Sequence, residues 1–194
     1  MAETATINEE RLATAAEVCA AYEAGPAVQT IACGNATPVA IIEQLSASGE
    51  LLEGIQFMAR WVTKREAIWW GAMCLWQSRR PQMSAPAEAT LQGIVQWVLD
   101  PSDEKRYGVR ENSRAVKATE PVATLAMALF SSGGSISIPG MPEVEPAADA
   151  TADLVAKMLR LVATRVPDYR RDEAYQQFLR IGMEIVAGDS HWEK

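Results

Sequence analysis

Residues 63–78 read Thr-Lys-Arg-Glu-Ala-Ile-Trp-Trp-Gly-Ala-Met-Cys-Leu-Trp-Gln-Ser, and this stretch decides the fold. Thr63, followed three residues later by Glu66, has the spacing of a capping box, so a helix begins near residue 64 after a sharp corner. From there Ile68, Trp69, Trp70, Met73, Cys74, Leu75 and Trp76 surround the helix axis instead of forming one stripe. A helix that is apolar all round is the central, buried one. The rest of the chain has to enclose it.

The flanking segments have one apolar face each. Leu51, Ile55, Met58, Ala59 and Val62 give a helix over about 50–62, and Thr37-Pro38 opens a shorter one that ends at Gly49. A first helix near 8–23 stops at Gly25-Pro26. Beyond the centre, Ser84 and Pro86 introduce a helix with Leu91, Ile94, Val95, Val98 and Leu99 on one side. Asp100-Pro101-Ser102 ends it and caps a segment over 103–118 that is polar on most faces and expected at the periphery. A further helix runs from Pro121 through Leu129, and two more cover 151–166 and 168–187, with Gly188 closing the last. Between them, residues 131–150 hold three glycines and three prolines and form one long loop, expected to lie on the body through Ile136, Ile138, Met141 and Val144. The fold predicted is an all-α bundle of eight or nine helices.

Composition narrows the function. The chain has 194 residues, 32 of them alanine, and 48% hydrophobic content, as in a folded helical protein. Its net charge of −7 disfavours nucleic acid as a partner. Cys19, Cys33 and Cys74 are odd in number and lack C-x-x-C spacing, so they read as reduced thiols and not as a disulfide or zinc framework. The acidic start MAETATINEE is unlike a secretory leader, and the ten-residue apolar run 67–76 is too short to span a bilayer. A cytoplasmic protein without membrane contact, metal or cofactor is expected. The single histidine, His191, removes most histidine-based catalysis, and nothing in the spacing of Glu184, Asp189 and His191 calls for a metal. SSGGS at 131–135 follows a helix and lacks the downstream Lys of a phosphate loop, so it reads as a turn.

Two features point to a protein partner. Arginine and tryptophan, the types enriched at interface hot spots, alternate over the corner at 60–70. Arg60, Trp61, Arg65, Trp69, Trp76, Arg79 and Arg80 are the candidate contact residues, with Glu66, Trp70, Cys74 and Trp97 assigned to the core. The plainer alternative has the tryptophans filling the core while Arg60, Lys64 and Arg65 cover it or pair with Glu66. Charge is also split: residues 1–59 carry a net −7 and residues 60–117 a net +4. Either these are two differently charged solvated faces, or the middle third steers an acidic partner.

Four segments carry a resemblance. R-E-A-I-W-W-G-A-M-C-L-W (65–76) resembles the Arg-Glu-Ala-Val-Trp-Trp core of a family of small uncharacterised bacterial proteins. W-V-L-D-P-S-D-E-K-R (97–106), P-V-A-T-L-A-M-A-L-F-S-S-G-G-S (121–135) and F-L-R-I-G-M-E-I-V-A-G (178–188) follow the same pattern in the same order. The resemblance covers 36–188, leaving 1–35 as an N-terminal helix and connector and 189–194 as a tail. Members of that family are encoded in proteobacterial type VI secretion gene clusters, near spike, tip and effector genes. The resemblance implies a non-catalytic adaptor or co-chaperone that binds an effector, adaptor or spike component; the alternative is an immunity-type protein that blocks a toxin. A homo-oligomer is compatible with either. No grouping of nucleophile, base and orienting residue can be assembled to make an enzyme.

If the 64–78 helix is the structural centre, truncating its tryptophan is costly. Trp70→Ala is expected to destabilise the chain by about 3–5 kcal/mol. Thermal melting checks this: a large drop in Tm is expected, and a shift of a degree or less would place the helix at the periphery.

Overall fold

Ten α-helices build the computed structural model, which describes residues 10–32, 36–79, 82–137 and 140–188. They are α1 (Ala15–Ala20), α2 (Pro26–Ala32), α3 (Pro38–Ser48), α4 (Leu51–Trp61), α5 (Lys64–Arg79), α6 (Ala85–Leu99), α7 (Asp103–Asn112), α8 (Pro121–Phe130), α9 (Ala150–Ala163) and α10 (Arg171–Val186). Short 3₁₀ turns follow α7 and precede α10, and there is no strand among the described residues. The fold is all-α, as the periodicity predicts.

Helix α5 starts where its capping box places it. The Glu66 N–H donates to the Thr63 hydroxyl at 3.2 Å, and the Thr63 N–H donates to the Glu66 carboxylate at 3.0 Å. The helix then runs between α6, α8, α9 and α10 and buries Ile68, Trp69, Trp70, Cys74 and Leu75. The Trp70 indole N–H donates to the Phe178 carbonyl of α10 at 2.7 Å, so its one polar atom is satisfied inside the core. Gly182, one turn beyond Phe178, lets α10 come close: a β-carbon there would collide with Met58 and crowd Trp70. A single apolar core continues from Ala15 and Val18 in α1 to Ile185 in α10.

Three local readings change. The N-terminal segment holds two short helices, because Pro26 starts α2 where the sequence predicts only a stop. Proline suits a first helical position, and Glu53 of α4 accepts the Val28 N–H at 2.9 Å and the Ala27 N–H at 3.4 Å. That cap comes from a distant helix. The 103–118 segment ends as an α-helix at Asn112 and is not peripheral: Val109 and Arg106 are buried, the latter only 2% exposed.

The loop is the third. Met141 is 64% exposed, Val144 51% and Ile136 is exposed as well, so these residues do not pin it; Ile138 lies outside the described residues. Polar bonds hold it instead. Arg106 donates to the Phe130 carbonyl at 2.9 Å and to the Ser135 carbonyl at 3.2 Å, and the Tyr107 hydroxyl donates to Ser135 at 3.0 Å. The Ser135 hydroxyl accepts the N–H groups of Ser137 and Val144, both at 3.1 Å. Gly134 sits at φ +61° directly against the Arg106 guanidinium, where a side chain would be both strained and blocked.

Arg106 therefore fastens the loop. Arg106→Met removes the donor to the Phe130 carbonyl and leaves the Ser135 carbonyl only the Tyr107 hydroxyl, and it is expected to cost about 2–4 kcal/mol. Limited proteolysis under native conditions is expected to cut the variant within 131–149 while sparing the parent, with Arg106→Lys between them. Equal resistance of parent and Met variant would show that another contact holds the loop.

Candidate functional site

The corner between α4 and α5 gathers most of the candidate contact residues, and the structure turns them inward. Arg60 forms an ion pair with Asp153 of α9, donates to the Gln56 carbonyl at 3.2 Å and lies 4.2 Å from the Tyr22 ring centroid. Burial pushes the Tyr22 hydroxyl up to about 12, so it stays protonated beneath that guanidinium. Arg65 donates to the carbonyls of Val98 at 2.7 Å and Leu99 at 3.4 Å, the open C-terminus of α6. Trp61 and Trp69 are only 6% and 7% exposed. Trp61 and Trp69 are corrected as interface anchors because neighbouring helices cover their rings, whereas Arg60 and Arg65, each bonded to another helix, remain partly open. Glu66, Trp70, Cys74 and Trp97 take the interior positions assigned to them, Glu66 only partly covered.

Glu66 pairs with Arg11, not with the neighbouring basic residues. The Arg11 Nε donates to Glu66 at 2.9 Å, and another of its nitrogens donates to the Val186 carbonyl at 2.8 Å. One side chain thus ties the N-terminal segment to the start of α5 and the end of α10. Burial pushes the Glu66 carboxyl up, but bonds from Arg11 and the Thr63 N–H outweigh it and leave the group below its ordinary range.

A cleft of about 340 Å³ remains at this corner. Ala59, Val62 and Ala152 form its apolar part, Lys64 and Arg60 its cationic part, and Glu10 and Asp149 face them. Among the described residues no three His, Cys, Asp or Glu side chains gather as metal ligands; Asp189 and His191 lie outside them. The Cys74 thiol is sealed in the core, and burial raises its pKa well above the ordinary value. Cys33 is outside the described residues.

The far end of α5 is different. Trp76 is 37% exposed, with Arg79 half-buried three residues on, while Arg80 lies outside the described residues. At 1.5 Å rise per residue Trp76 stands about 16 Å from Arg65 along the helix, so the seven candidates do not share one surface.

A second face was not read from the sequence. Two adjoining clefts, about 240 and 380 Å³, run between α7, α8, α9 and the start of the loop, and Arg110, Arg114 and Met127 line both. The sequence signal for it was present in part: segments 97–106 and 121–135, two of the four that carry the resemblance, meet here through Arg106 and the carbonyls of Phe130 and Ser135. Segments 65–76 and 178–188 meet likewise through Trp70 and Phe178.

Residues 41–186, from α3 to the end of α10, match a family of unknown function, DUF6931. The chain belongs to that family. The DUF6931 span leaves out α1 and α2, although Val18 and Val28 enter the same core as the family's own helices. No curated protein and no solved structure matches the chain. Among the described residues no helix is long and apolar enough to cross a membrane.

The Arg11–Glu66 pair gives this corner an acid-sensitive component. Because the native Glu66 carboxyl binds its proton less readily than in the unfolded chain, its stabilisation is complete above the unfolded value of about 4.3 and disappears as pH falls through the lower native value. Glu66→Gln is expected to cost about 1.5–3 kcal/mol near pH 7. Melting curves of parent and variant are expected to converge below about pH 4; a gap independent of pH would show that the ion pair is not its source.

Proposed function

We propose that this DUF6931 member is a non-catalytic accessory protein of type VI secretion, acting in the bacterial cytoplasm as an adaptor or co-chaperone for an effector, adaptor or spike component. The observation that carries the reading is Trp76. Of the tryptophans among the described residues, Trp61, Trp69, Trp70 and Trp97 are buried, whereas Trp76 leaves more than a third of its surface open beside Arg79. Tryptophan and arginine are among the residue types most enriched at protein contact hot spots. The resemblance of segments 65–76, 97–106, 121–135 and 178–188 to proteins encoded in such clusters supports the context and the class of partner.

The tagged full chain, purified from its native host, is expected to retain a protein encoded in the same secretion cluster. Trp76→Ala combined with Arg79→Glu is expected to weaken that capture by about thirtyfold or more, the scale of a lost aromatic anchor, with Tm unchanged. Unchanged capture by the folded double variant overturns the placement. Protection of cells from a single toxin, with export proceeding normally in the absence of the chain, would make the protein an inhibitor instead.

A further inference from the structure

The two clefts beside α7 are lined by more cations than carboxylates. The chain as a whole carries −7, yet Arg110, Arg114 and Lys157 line these clefts with Glu111 as the one acidic group among them. Glu111 pairs with Arg114 at 3.1 Å, and among the described residues no carboxylate pairs with Arg110 or Lys157. These two cations stand on different helices on either side of an apolar floor, to which Met127 and Phe130 contribute.

The loop extends that apolar surface. The Ile136 N–H donates to the Val144 carbonyl at 2.8 Å, and the exposed Ile136 side chain lines the smaller cleft. An exposed large apolar residue, Ile136, therefore adjoins the cationic clefts. The net charge of the chain disfavours an acidic ligand, whereas this cationic face attracts it, and the clefts then take its apolar side chains.

We propose that the α7–α8–α9 face is a docking site for an acidic, amphipathic segment of a partner protein. Its carboxylates meet Arg110, Arg114 and Lys157, and its apolar residues enter the two clefts over Met127. The site belongs to the partner-binding reading above but uses a face separate from Trp76. None of the residues that line the two clefts belongs to α5, the helix that carries Trp76.

The test uses the full chain and a fluorescein-labelled synthetic peptide with leucine at i, i+3, i+4 and i+7 and glutamate at the other positions. Anisotropy titration is expected to show saturable binding that weakens as salt is raised. Arg110→Glu with Lys157→Glu is expected to weaken it by about tenfold without changing Tm, and Trp76→Ala is expected to bind the peptide like the parent. With methyl-labelled methionine in the parent chain, the Met127 signal is expected to move on titration while that of Met58, in the core, stays fixed. Absence of saturable binding, equal binding of a scrambled peptide, or unchanged binding by the double variant overturns the proposal. Preference of the same face for a mixed-sequence RNA oligonucleotide overturns it too. Peptide binding and Trp76-dependent capture are separate readouts, so either reading can fail while the other stands.

Discussion

Helix α5 has no polar face, and that constraint organises the molecule. Every side of it has to be covered, and each polar atom it carries inward needs a partner, since a buried unpaired donor costs more than a typical hydrogen bond gains. Helices α6, α8, α9 and α10 supply the cover, and the Phe178 carbonyl supplies the partner for Trp70. Close approach on two sides depends on glycine. At Gly71 a β-carbon would press on Leu125 of α8 and Met158 of α9, and at Gly182 it would meet Met58 and Trp70. Packing at such contacts leaves no room for an added methyl group.

Arginine does most of the joining between elements. Arg11, Arg60, Arg65 and Arg106 each reach from one helix or segment to the carbonyls or carboxylates of another. The planar guanidinium suits this, because its several donors can close a helix end or a loop while its face lies on a ring. Arg106 shows both uses, with ring centroids of Tyr107 and Phe130 at 4.6 and 5.0 Å and the loop carbonyls in its plane of donors. Three of the ten cations of residues 60–117, Arg60, Arg65 and Arg106, are therefore engaged between elements of the fold. The surface field comes from the remainder, to which Arg110, without an ion pair among the described residues, contributes.

Two faces emerge from this arrangement, one around Trp76 at the open end of α5 and one around Arg110 beside α7. The segments that carry the family resemblance meet in pairs across the core and behind the second face. Their residues fix the positions of α5 against α10 and of α7 against α8, and through these helices the position of both faces.

What the sequence determined by itself is whatever one or two turns of chain can enforce. The Thr63–Glu66 box, the Thr37 cap, the left-handed Gly49 and the apolar periods of α4, α6, α9 and α10 each depend on neighbours within about four residues, and the structure keeps them all. The central place of α5 was legible for the same reason, since a helix without a polar face cannot lie at a surface. Tertiary structure decided the rest. Glu53 caps α2 from 25 residues away, and Arg106 bonds Ser135 across 29, separations at which local spacing carries no signal. Which tryptophan faces outward was also undecided, because a helix apolar all round gives its period no preferred direction. The surrounding helices made that choice: they enclose α5 as far as Leu75 and leave Trp76 partly uncovered.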